Sequence, residues 1–207
     1  MKKILLLLIF SVSYINAQTY SFDYKIVFSS YNEKNKKNET NMSYVLNTQN
    51  PFYHMQMFNN KNGVLHDYKE KICDMHFFRF YNQDKIKYKF TNSETYITKD
   101  EKIINKIIVE KLDENKYIIK CFENEKSEKP NLELTLILKP ENVDLIRFYF
   151  LDLSNNIHQK IISKLKEKLN GDYNYVIENY IVDYKNGFLR QYKIDKVEKI
   201  NLKIINL

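Results

Sequence analysis

Tyr20-Ser21-Phe22-Asp23-Tyr24-Lys25-Ile26-Val27-Phe28 is the stretch whose reading decides the fold class. Large apolar side chains at 20, 22, 24, 26 and 28 alternate with Ser21, Asp23, Lys25 and Val27, a period of two rather than 3.6. Side chains along a strand point to opposite faces in turn, so the segment predicts a strand that buries one aromatic face and leaves the other wet. The rhythm returns at Ile86, Tyr88 and Phe90 between Lys85, Lys87 and Lys89, and at Leu132, Leu134, Leu136 and Leu138 around Glu133 and Thr135. Segments 42–46, 52–58, 64–68, 72–81 and 117–122 are rich in the β-branched and aromatic residues that suit a pleated surface. Segment 103–112 is apolar in a way that fits a strand or a short helix.

Turn chemistry supports hairpins. Asn62-Gly63 and Asn186-Gly187 tolerate the positive φ of tight turns, and Asp113-Glu114-Asn115 offers a third connection. Segments 30–39 and 123–131 are polar and read as long loops. One segment differs in kind. From 155 to 170, Ile157, Ile161, Ile162, Leu165 and Leu169 fall on one arc at 100° per residue, which predicts an amphipathic helix. Ser154 or Asn155 can cap it, and Gly171 can end it in a left-handed conformation. Segments 173–184, 188–195 and 197–205 return to strand patterns. The sum is a β-rich α+β fold: a mainly antiparallel, incurved sheet of about ten strands with one helix packed on it.

The chain opens with Lys2 and Lys3, then the apolar run 4–10, then Ile15-Asn16-Ala17. That order predicts a secretory signal peptide over 1–17, cut to leave Gln18, because the run is too short to cross a bilayer as an anchor. The expected protein is exported, periplasmic or secreted, with no transmembrane segment after cleavage. Residues 18–207 carry no linker, and the whole chain has only 3 Gly and 3 Pro, so they predict one domain. The formal charge of +7 falls to +5 once Lys2 and Lys3 are removed. The excess is dispersed among acids, and Arg79, Arg147 and Arg190 are the only arginines, which argues against a nucleic-acid partner.

Chemistry-bearing residues are few. Cys73 and Cys121 are an even pair in an exported chain, which invites a disulfide closing a loop of about 48 residues, worth about 4 kcal/mol. Both also lie among apolar strand residues, where buried thiols are the alternative. Cys73-Asp74-Met75-His76, with His66-Asp67 before it, is the tightest grouping of metal-ligand types, but residues 73 and 76 point to opposite faces of a strand. His158 falls within the helix's apolar arc, as a boundary histidine hydrogen-bonded to its surroundings. Asp100-Glu101 and Glu141 with Asp144 read as solvated turn charges. Asn38 and Asn41 head glycosylation triplets of a kind frequent in any Asn-rich chain. No cofactor motif stands out, and no catalytic or metal set can be assigned.

The signal ending Ile15-Asn16-Ala17-Gln18, the aromatic strand from Tyr20 to Phe28, the hairpin across 44–58 and the closing hairpin at Asn186-Gly187 together carry a resemblance. In element order the chain resembles exported Gram-negative envelope proteins of the lipoprotein-carrier (LolA-like) half-barrel kind. That resemblance implies an incurved sheet with a helix across its mouth. The expected function is a non-enzymatic binding protein that holds an apolar or lipid-like ligand between curved sheet and helix. A structural or adhesive envelope module that docks a protein partner is the alternative, and a hydrolase is the second.

Overall fold

The computed structural model describes residues 18–31, 42–69, 72–82, 87–97, 103–151 and 153–206. The signal segment 1–17, the acidic pair Asp100-Glu101, and Asn38 and Asn41 of the two triplets lie outside them.

Eleven antiparallel strands form one sheet. They are β1 (Gln18–Tyr31), β2 (Met42–Leu46), β3 (Tyr53–Phe58), β4 (Asn62–Lys69), β5 (Ile72–Asn82), β6 (Lys87–Ile97), β7 (Lys106–Asp113), β8 (Lys116–Phe122), β9 (Leu132–Pro140), β10 (Tyr175–Asp183) and β11 (Leu189–Asn206). Their spatial order is β6-β5-β4-β3-β2-β1-β11-β10-β9-β8-β7. The chain therefore starts in the middle, steps outward to one edge, crosses to the other edge and steps back in. The first and last strands pair along the centre from Gln18↔Asn206 to Tyr31↔Gln191. Helix α1 (Asn155–Lys166) lies between β9 and β10 in the chain.

The expected mainly antiparallel sheet with one helix is present. Segment 103–112 resolves as a strand, β7, because its Ile107 and Val109 pair with Cys121 and Ile119 of β8. Segments 188–195 and 197–205 are one strand, β11. No turn residue separates Asp195 from Val197, and a register irregularity opposite Val27/Phe28 absorbs the mismatch.

The aromatic stripe of β1 serves two cores. Ile26 and Phe28 pack with Tyr44 and Leu46, whereas Tyr20 and Phe22 pack with Val45, Met55, Leu65 and Phe78. Val45 lies between Tyr44 and Leu46 on β2 and so points to the other face. The change of side coincides with the register irregularity between Phe22 and Tyr24. A single wet face was expected for β1; the sheet instead buries part of each.

On the second of these faces the β11–β1–β6 half curls on itself. The backbone N–H of Ile205 on β11 donates to the Tyr88 hydroxyl of β6 at 2.8 Å, although five strands separate the two in the sheet. Likewise the Tyr20 hydroxyl of β1 donates to the Asp67 carboxylate of β4 at 2.8 Å. Gly63 makes the curl possible. An added Cβ there would stand 2.7 Å from Phe80 Cε2 and 2.9 Å from Met55 Sδ, so its absence lets the Phe80 ring lie against the strand. The sheet is not closed: β6 and β7 remain its edges.

On the first face, α1 covers β7–β10. The Ser154 hydroxyl accepts from the Ile157 backbone N–H at 3.5 Å, and Gly171 takes φ +87 beyond the helix end, as its sequence position predicts. Ile157, Ile161, Ile162 and Leu165 are buried against Val109, Ile119, Leu134 and Leu136. Each contributes about 1.5–3 kcal/mol by leaving water. The apolar arc of the helix thus packs on the core of β7–β10. Segment 145–151 finishes the cover, with the Phe150 ring stacked on Tyr192 at 5.1 Å and meeting Phe28 edge-on at 4.9 Å.

The turn between β3 and β4 differs from expectation. Asn59 (φ 50) and Asn60 (φ 53) make the tight turn, while Asn62 and Gly63 already belong to β4. Asn tolerates the left-handed region well enough to serve there, and Gly63 is needed for the approach of Phe80 instead.

Candidate functional site

Two open spaces adjoin the central strands, one on each face. The first is a groove of about 300 Å³ at the open end of the curled half. Val45, Met57, Phe80, Ile200 and Leu202 form its walls, and Lys25, Asn60, Glu198 and Lys199 form its rim. Its floor continues into the core of Tyr20, Phe22, Met55 and Leu65, against which Met57, Phe80 and Ile200 are only partly buried. The groove sits where β11 carries the extra residue opposite Asp23, so Ile200 and Asn201 lie at the irregularity. At the rim, the Lys25 ammonium donates to the Asn60 side-chain oxygen at 3.2 Å, and Lys196 holds the Glu198 carboxyl below its ordinary range.

The second space is a cavity of about 170 Å³ between strands β2–β4 and the N-terminal turn of α1. Its walls are rings. His54 and His66 stack at 5.1 Å, and Tyr68 continues the row at 6.1 Å from His66. Tyr44 meets His54 edge-on at 4.9 Å and stacks on Tyr149 at 4.6 Å. Arg147 and His158 enter from the side of segment 145–151 and the helix. The Arg147 guanidinium donates to the Ile146 carbonyl at 2.8 Å and lies 3.8 Å from Asp144.

Burial sets the protonation here. It holds His54 well below the ordinary imidazole range, with the neighbouring His66, His158 and Arg147 adding to the effect. Burial alone lowers His66 to about 4. Burial also raises Tyr44, Tyr68 and Tyr149, which stay protonated. The Tyr149 hydroxyl has no hydrogen-bond partner among the described residues.

Cys73 Sγ approaches His66 Nδ1 at 3.8 Å, just behind the cavity wall. An activated thiol needs a lowered pKa beside a proton-accepting imidazole. Burial acts in the opposite sense on both partners, pushing Cys73 up to about 12 and His66 down. Cys121 lies elsewhere, in the core under the helix, and is also pushed up to about 12 by burial. Both cysteines are buried free thiols. The bridge considered from their even number does not form, because β5 and β8 belong to opposite halves of the sheet with seven strands between them. The buried-thiol alternative is the one observed.

His76 does not join His66 or Cys73. Its ring faces Tyr20 at 6.1 Å, and its Nδ1 is 2.6 Å from the Ser93 hydroxyl, on the side opposite Cys73. Among the described residues no three His, Cys, Asp or Glu side chains are placed to share an ion. His158 Nε2 meets the Leu151 carbonyl at 3.2 Å, the boundary role expected of it. Asp144 is occupied by Lys166 of the helix and by Arg147.

The pairing of His54 with His66 was not read from the sequence. A turn at Asn62-Gly63 would have put Lys71 opposite His54; the true turn at Asn59–Lys61 puts His66 there. A slip in register moves every cross-strand partner, so placing the turn on the Asn59-Asn60 pair is the signal that would have found it. No family model, curated protein or solved structure matches this chain.

Proposed function

We propose that this is an exported, non-enzymatic binding protein that holds an apolar or lipid-like ligand against the concave face of its curved sheet. The supporting observation is the groove of about 300 Å³ walled by Val45, Met57, Phe80, Ile200 and Leu202. That volume stands at the lower end of ordinary ligand sites. A short acyl chain laid in it would gain about 0.8 kcal/mol for each buried CH₂. Lys25 and Lys199 on the rim suit a carboxylate or phosphate head left in water.

The expectation from the sequence set the ligand between sheet and helix, but the apolar residues of α1 pack on the core beneath them. The groove supplies the apolar walls instead, and it is the inner surface that a half-barrel of the lipoprotein-carrier kind would offer. Export rests on residues 1–17, and N-terminal sequencing that returns Gln18 is its check. Among the described residues no helix is long and apolar enough to cross a membrane.

The test is solvent extraction of the purified protein with mass spectrometry of the extract, followed by titration with a dansylated undecanoate. Bound lipid, and probe fluorescence that rises on the wild type and falls at least tenfold in affinity on Ile200→Asp, are expected. An empty extract with no probe binding, or equal binding by the variant, refutes the proposal.

A further inference from the structure

We propose that the cavity at the start of α1 is a second, separate binding site, specific for a small planar organic anion of the aromatic-carboxylate class. Three observations converge on that chemistry. The first is size. At about 170 Å³ the space matches one ring with a short substituent, since an apolar cavity of about 150 Å³ accepts benzene. An acyl chain long enough to benefit from the groove does not fit.

The second is shape. Ring side chains line the space: the His54–His66–Tyr68 row on the sheet and Tyr149 on the covering segment. Aromatic pairs prefer offset-stacked or edge-to-face contact, so such a lining suits a planar aromatic guest better than a branched one.

The third is charge. Arg147, with a side chain only 16% exposed, is a permanent cation in the wall, and no Asp or Glu is among the described lining residues. Asp144 faces Arg147 at 3.8 Å, a loose contact that leaves the guanidinium fork able to take a carboxylate side-on. The N-terminal turn of α1, through Asn155 and Gln159, adds amide donors at the same mouth.

Proton linkage gives the site a signature. The groups facing His54 and His66 are Tyr44 on β2, Tyr68 on β4, Cys73 on β5, Arg147 and Tyr149 on the covering segment and His158 on the helix. All are neutral or cationic near neutral pH, so an anion in the cavity is the group that favours imidazolium there. Binding then takes up a proton and strengthens as the solution is acidified from pH 8 to pH 5.

The experiment uses the full mature chain and titrates it calorimetrically with benzoate at pH 8 and pH 5, with benzyl alcohol as the uncharged analogue. Imidazole ¹H resonances are followed by NMR to locate the guest. The expected results are saturable benzoate binding, at least tenfold tighter than benzyl alcohol and at least threefold tighter at pH 5 than at pH 8. Shifts should be confined to His54, His66 and His158, and Arg147→Gln should weaken benzoate at least tenfold. Ile200→Asp, in the groove, should leave benzoate binding unchanged, which separates this site from the lipid reading. If Arg147→Gln does not fold, the benzoate against benzyl alcohol comparison on the wild type decides alone. No benzoate binding up to about 10 mM overturns the proposal, as does equal affinity for the alcohol or for the Arg147→Gln variant.

Discussion

Gly63→Ala tests whether the curl of the N-terminal half depends on one missing side chain. Gly63 has no positive φ, so alanine fits its backbone, and by itself the change should stabilise by about 0.4–1 kcal/mol through the unfolded chain. Against that stands the new methyl, 2.7 Å from Phe80 Cε2 and 2.9 Å from Met55 Sδ. Met55 is fully buried and cannot retreat without disturbing the core, while Phe80, only partly buried, would have to swing away from the strand into the groove it lines. Overpacking of this kind costs about 1–3 kcal/mol. The net expectation is a loss of about 1–2 kcal/mol, or roughly 2–8 °C in Tm for a domain this size. Urea unfolding of the four members of a Gly63→Ala and Phe80→Ala cycle measures it. With Phe80 removed, Gly63→Ala should be neutral or stabilising, giving a coupling of about 1–3 kcal/mol. A Gly63→Ala variant more stable than the wild type, or one that costs the same with and without Phe80, would refute the role given to Gly63.

Two further outcomes are expected. His66 is held at about 4 when folded, below the ordinary 6.5, so the unfolded chain binds more protons between those values. Stability is therefore full above about pH 6.5 and is lost progressively as pH falls toward 4, by on the order of 3 kcal/mol from this residue. Thermal melts of wild type and His66→Gln across that window should show the variant with the flatter profile, and parallel profiles would contradict the assignment. Separately, a thiol-reactive chromophore should titrate neither Cys73 nor Cys121 in the native protein and both in denaturant, since both are buried and raised to about 12. A native protein that yields no thiol even after non-reducing denaturation would mean that the two are bridged.

The period-two alternation of Tyr20 to Phe28 and of Leu132 to Leu138 was sufficient to determine that this chain makes antiparallel sheet. The arc of Ile157, Ile161, Ile162 and Leu165 was sufficient for its helix. Those features are local: a strand or helix face is set by which positions must leave water, and that is written in the order of side chains. The pairing of β1 with β11, the curl that brings Tyr88 to Ile205, and the meeting of His54, His66 and Arg147 were decided only in three dimensions. They depend on register and on long-range closure, where moving one turn from Asn62-Gly63 back to Asn59-Asn60 exchanges every partner across a hairpin while leaving the alternation unchanged.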